Sequence, residues 1–107
     1  RIDRTLCRIS WTDSAEACTR RIRAFDPEPG AWTILNGETV KLFDTRIASP
    51  EPTGSPPGTI IRTGERLVIA AAEGSVLVRE IQPAGKRRMR VGDWVRGHAD
   101  LEGRSFT

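Results

Sequence analysis

Ala31-Trp32-Thr33-Ile34-Leu35-Asn36-Gly37-Glu38-Thr39-Val40-Lys41-Leu42-Phe43-Asp44-Thr45-Arg46-Ile47 is the stretch on which the fold turns. Trp32 and Ile34 share one face of a strand expected over 31–35, because side chains alternate between faces along extended backbone. Asn36-Gly37 is a two-residue hairpin signal: both positions tolerate the positive φ that lets the turn follow the strands' twist. The return strand is expected over 38–47, and its apolar phase slips between Leu42 and Phe43. A slip of one place predicts a β-bulge or sharp coiling, as small barrels need.

Upstream, the period changes from two to 3.6. A helix is expected over 14–25, with Asp13 and Glu16 at the spacing of a capping box. Ala15, Cys18, Ile22 and Phe25 form one apolar stripe, which should face the core. Arg20 and Arg23 point away from that stripe, and Arg21 sits at its flank. Pro27 ends the helix. Residues 1–12 read as a lead-in.

Downstream, residues 48–58 form a Pro/Gly loop without core-forming side chains. Three more strands are expected, over 59–62, 66–72 and 75–82, with turns at Gly64-Glu65 and Glu73-Gly74. Leu67 to Ala72 is apolar throughout and reads as a central strand. A short helix is expected over 90–97, and residues 98–107 as a fraying tail. The fold class is mainly β: a small five-stranded antiparallel OB-like barrel with an N-terminal helix and a short C-terminal helix. The domain spans 13–97.

A chain of 107 residues has room for one domain and little room for a deep cleft. No apolar run approaches the roughly 20 residues that span a bilayer, and no signal peptide opens the chain. Arg1 stands where an intact chain would carry Met, so a piece of a longer protein is expected. The net charge of +3 is unevenly placed. Arg20, Arg21 and Arg23 form one cluster, and Lys86, Arg87, Arg88 and Arg90 another; elsewhere ten basic residues face fourteen acidic ones. Such a balance gives a directed field, and 15 of the 17 basic residues are Arg, which suits bidentate phosphate contact.

Cys7, Cys18 and His98 lack metal-ligand spacing. A reduced, cytoplasmic setting is expected for the two thiols, with a disulfide left open. Trp11, Trp32 and Trp94 could stack on bases, but their neighbours favour core packing. Asp26, Glu28 and Glu51 read as solvated charges without a partner base.

Four segments carry a resemblance. Arg23-Ala24-Phe25-Asp26-Pro27-Glu28-Pro29-Gly30-Ala31-Trp32 resembles the helix-to-barrel junction of formyltransferase C-terminal domains, and Arg8-Ile9-Ser10-Trp11 resembles the entry to the same domain. Gln82-Pro83-Ala84-Gly85-Lys86-Arg87-Arg88-Met89 is similar to a string typical of methionyl-tRNA formyltransferases. Pro57-Gly58-Thr59-Ile60 fits the family's strand entry. Departures are Glu28 in place of an aromatic, Ser10 in place of Asp, and Arg90 where a Ser or Thr often caps the last helix.

The resemblance implies a barrel appended to an N-terminal Rossmann-type catalytic domain, for which residues 1–12 would be the lead-in. That domain would bind 10-formyltetrahydrofolate and carry the Asn, His and Asp catalytic set. No catalytic residue, cofactor or metal is expected in this segment, and His98 matches no catalytic position. The implied partners are initiator Met-tRNA and the catalytic domain; the implied state is a monomer. The residues expected to contact tRNA phosphates are Lys86, Arg87, Arg88, Arg90, Arg20, Arg21 and Arg23, with Gly85 allowing close backbone approach. Two other readings are an accessory domain of a sugar-nucleotide formyltransferase and a structural docking module.

Overall fold

The computed structural model describes residues 3–107. A 3-10 turn, Arg4–Cys7, precedes helix α1, Ala15–Ala24. Strands β1 (Ala31–Leu35), β2 (Glu38–Ser49), β3 (Ile60–Arg62), β4 (Leu67–Ala70), β5 (Ser75–Pro83) and β6 (Met89–Arg90) follow, then helix α2 (Val91–Arg96). The order β1-β2-β5-β4-β3 gives the expected five-stranded antiparallel sheet, curled into a half-barrel. The two-residue β6 was not foreseen; it joins β5 beyond the point where β4 leaves it.

Helix α1 is capped by Ser14, whose side chain accepts the Ala17 N–H at 3.1 Å. The cap is thus Ser14, one residue after the Asp13 of the expected box: a serine hydroxyl at the turn satisfies the helix's free amide donor. Ala15, Cys18 and Ile22 are buried and Phe25 packs against the core, as the stripe predicted. At α2 the cap position is Arg90, which makes no side-chain capping bond.

The β1–β2 hairpin closes at Asn36-Gly37, with φ of 52° and 80° and Leu35 opposite Glu38. The phase slip in β2 is not a bulge. Leu42 pairs with Ile81, Phe43 with Glu80 and Thr45 with Val78, so the register holds across the slip. Asp44 instead takes φ 52°. On β5 the buried positions likewise change from Pro83 and Ile81 to Val78 and Val76. Both strands thus turn their faces together. A left-handed residue rotates the ribbon without inserting one, which coils the sheet. The true register shift lies further on, between Ile47 and Ser49.

The ends of the chain overturn two expectations. Residues 98–107 do not fray: Leu101 and Phe106 are buried in the core. Ile60 N–H donates to Arg104 O, Phe106 N–H to Gly58 O, and Thr107 N–H to Ile34 O. The tail therefore bridges the open side of the half-barrel, between β3 and β1, and satisfies edge groups there. Of the lead-in, Cys7, Ile9 and Trp11 are buried and Ile9 N–H donates to Trp32 O. Core packing thus reaches beyond the expected limits of 13 and 97, where isolated apolar residues in a polar segment leave no periodic trace. Arg1 and Ile2 lie outside the described residues.

Candidate nucleic-acid interface

The loop between β5 and β6 carries the denser basic cluster. Lys86 N–H donates to Pro83 O at 3.1 Å, and Gln82 Nε2–H donates to Lys86 O at 3.0 Å. These bonds fix the turn locally. Arg88 fixes it globally. Its Nε–H donates to Glu80 at 2.5 Å, its Nη1–H donates to Asp26 at 2.8 Å, and its guanidinium lies 4.2 Å from the centre of the Phe43 ring. Burial works against the Arg88 charge, but hydrogen bonds to Glu80 and Asp26 outweigh it and hold the guanidinium above its ordinary pKa.

Asp26 is the hub of this clamp. Its second carboxylate oxygen accepts the Asp44 N–H at 3.0 Å. One carboxylate from the end of α1 thus holds both the left-handed residue of β2 and the basic loop. Asp26 is therefore not the solvated charge that its loop position suggests. Phe43, 1% exposed, explains the other half of the phase slip. It points outward from the barrel and is covered by Gly30 and by Arg88.

The seven predicted basic residues fall into different situations. Lys86, Arg87 and Arg90 are exposed and form no ion pair among the described residues. Arg88 is half-buried and internally paired, so it does not stand free as expected. Arg20 pairs with Glu16 at 3.4 Å on the exposed face of α1, a contact worth little in water. Arg21 is half-buried and donates to the Leu6 carbonyl. Arg23 is exposed, and its carbonyl accepts the Asp26 N–H at 3.3 Å. The clamp therefore brings the Arg23 end of α1 beside the 86–90 loop. It does not bring Arg21, which lines a groove with Leu6, Arg8 and Phe106 that shares no residue with the groove beside Lys86.

The three tryptophans are buried, as expected. Trp11 Nε1–H donates to Thr33 at 3.0 Å, and Trp32 Nε1–H donates to the Arg4 carbonyl at 2.9 Å beneath the Arg4 and Arg8 guanidinium groups. Cys7 and Cys18 are both buried free thiols. Burial, with the Asp13 charge, pushes the Cys18 thiol up to about 12. Among the described residues no three His, Cys, Asp or Glu side chains are grouped to hold a metal, and no helix is long and apolar enough to cross a membrane.

Fold and loop define a class: a helix-capped, curled antiparallel half-barrel with a clamped basic loop. The formyl transferase C-terminal domain model matches residues 1–99. The chain belongs to that family. It is 39% identical over 107 residues to the methionyl-tRNA formyltransferase of Variovorax paradoxus, covering 99% of this chain and 34% of that protein. It is 36% identical over 99 residues to the methionyl-tRNA formyltransferase of Methylococcus capsulatus, covering 92% of this chain and 32% of that protein. The chain thus spans about a third of the length of these relatives. HypX from Aquifex aeolicus, in a complex with tetrahydrofolic acid, matches with a TM-score of 0.75 at 19% identity, over 100% of this chain and 22% of that one. That likeness shows the fold alone.

Proposed function

We propose that this domain is the tRNA-positioning part of a methionyl-tRNA formyltransferase. It holds initiator Met-tRNA through phosphate contacts while a preceding catalytic domain transfers formyl from 10-formyltetrahydrofolate during translation initiation in the cytoplasm. The segment itself performs no chemistry. Formyl transfer needs an acid or base positioned at the amine. His98, its sole imidazole, is exposed and hydrogen-bonded to the Trp94 carbonyl.

The observation that carries this reading is the clamped loop. Lys86, Arg87 and Arg90 stay exposed and unpaired among the described residues, while Arg88 is drawn inward to hold them in place. A cation committed to two carboxylates cannot also neutralise a phosphate, so Arg88 is assigned a positioning role. Arg23 extends the surface from α1, and Arg20 is separable from Glu16 at small cost. Phosphate contacts of this kind position a nucleic acid without reading its sequence.

Titration of the chain with initiator tRNA at low salt tests the reading. Binding is expected to be weak and to be lost in the Lys86→Glu/Arg87→Glu double variant. Absence of binding, or binding indifferent to that double reversal, overturns it. Weak affinity follows because two linked modest sites hold a ligand better than either alone.

A further inference from the structure

A groove lies beside Lys86, between the β1–β2 turn and α2. Its floor is apolar: Leu35, Val40, Pro83, Met89 and Trp94. Its rim carries Lys86, Glu38 and His98, all exposed. The His98 ring packs on the Trp94 ring, with centroids 4.6 Å apart and planes inclined by 32°. A carbonyl oxygen only accepts, so His98 Nδ1–H donates to Trp94 O at 2.8 Å. That bond holds the ring in one orientation and leaves Nε2 for another partner.

Trp94 differs from the other tryptophans. Trp11 and Trp32 donate their indole N–H to protein oxygens, whereas the Trp94 indole N–H meets no acceptor among the described residues. No buried side-chain polar atom there lacks a partner, so this N–H reaches solvent. Asp93 is engaged with Arg96, while the Glu38 carboxylate pairs with no cation among the described residues.

We propose that this groove takes a single unpaired nucleobase of an RNA, with Lys86 on the adjoining phosphate. The inference rests on the RNA-binding reading of the basic loop and extends it from backbone to base. An aromatic platform suits the flat π-face of a splayed base, which is how single-stranded RNA is held. The apolar floor suits burial of the ring. Glu38, an acceptor only, suits the exocyclic amino edge of a base. Lys86 supplies the charge that a bare apolar groove would lack for a nucleotide, and it continues directly into Arg87 on the phosphate-binding surface.

NMR titration of the chain with the four nucleoside 5′-monophosphates tests this, with ribose 5-phosphate as the probe lacking a base. The His98 ring and Trp94 indole resonances are expected to shift with nucleotides and not with the sugar phosphate. His98→Ala is expected to weaken nucleotide binding about tenfold, and His98→Phe to retain it, since stacking needs a flat ring and no particular heteroatom. Equal shifts with ribose 5-phosphate, no shifts, or equal losses in both variants overturn the assignment. Failure of tRNA binding with nucleotide shifts intact would sink the phosphate reading and the RNA base with it, leaving the groove a site for free nucleotides only. The reverse result would remove the groove alone.

Discussion

Arg88 Nη1 lies 2.8 Å from Asp26 Oδ1, joining two residues 62 positions apart. The bond ties the end of α1 to the basic loop, and through the Asp44 N–H it also secures the turn of the β2 ribbon. One carboxylate therefore serves the coiling of the sheet and the placement of the loop.

Asp26→Ala should lower the unfolding free energy by about 1–2 kcal/mol. It leaves the Asp44 N–H and one arm of Arg88 without acceptors, and the pair is open enough to solvent for screening to limit the loss. Arg88→Met should cost a similar amount and also weaken tRNA binding by disordering the loop. Urea denaturation followed by tRNA titration checks both. A stable Arg88→Met protein whose tRNA affinity falls with a reduced salt slope would return Arg88 to the list of phosphate contacts.

If Lys86, Arg87, Arg90 and Arg23 each neutralise one phosphate, affinity should fall with salt at a log–log slope of about −3 to −4. Arg87→Ala should reduce that slope by about one, whereas Arg88→Met should leave it almost unchanged. Filter binding across a range of potassium chloride concentrations reads the slopes. A flat profile rules out phosphate contact as the source of affinity.

The tail should behave as core. Phe106 is 1% exposed and its ring lies 6.0 Å from that of Trp11, so Phe106→Ala should cost about 3–5 kcal/mol. Gly58→Ala should also destabilise: Gly58 has φ 92°, and an added Cβ would stand 2.2 Å from Phe106 O. Urea midpoints for the two variants check this. Wild-type midpoints in both would mean the tail is dispensable.

Cys18 should resist thiol reagents in the native protein. In a Cys7→Ser background, modification at pH 8 should be slow until urea unfolds the chain, because the thiolate is the reactive form and the native thiol is pushed up from 9.0 to about 12. The same shift carries a pH sign. Above pH 9 the unfolded chain loses this proton while the native one keeps it, so stability should fall between pH 9 and pH 12. Rapid native labelling at pH 8 would contradict the burial of this side chain.

Much of the fold was legible in particular residues. Asn36-Gly37 located the hairpin, and Ala15, Cys18 and Ile22 located the buried face of α1. The slip at Leu42 and Phe43 was legible as an irregularity, but not as a left-handed Asp44 mirrored on β5. Leu101 and Phe106 went unseen because two lone apolar residues make no period. In the candidate interface the basic residues were visible as a cluster. Nothing local separated Arg88, which is paired inside, from Arg87 and Arg90, which are not.

Sequence alone determined the two helices, the five longer strands and their approximate limits. Periodicity, caps and turn chemistry act between residues a few positions apart, so they can be read along the chain. Tertiary structure alone decided which charges remain free and what bridges the open side of the half-barrel. Those outcomes depend on pairs such as Asp26 with Arg88 and Ile34 with Thr107. Such partners meet only after the sheet has coiled, and no local pattern records a contact that the folded backbone creates.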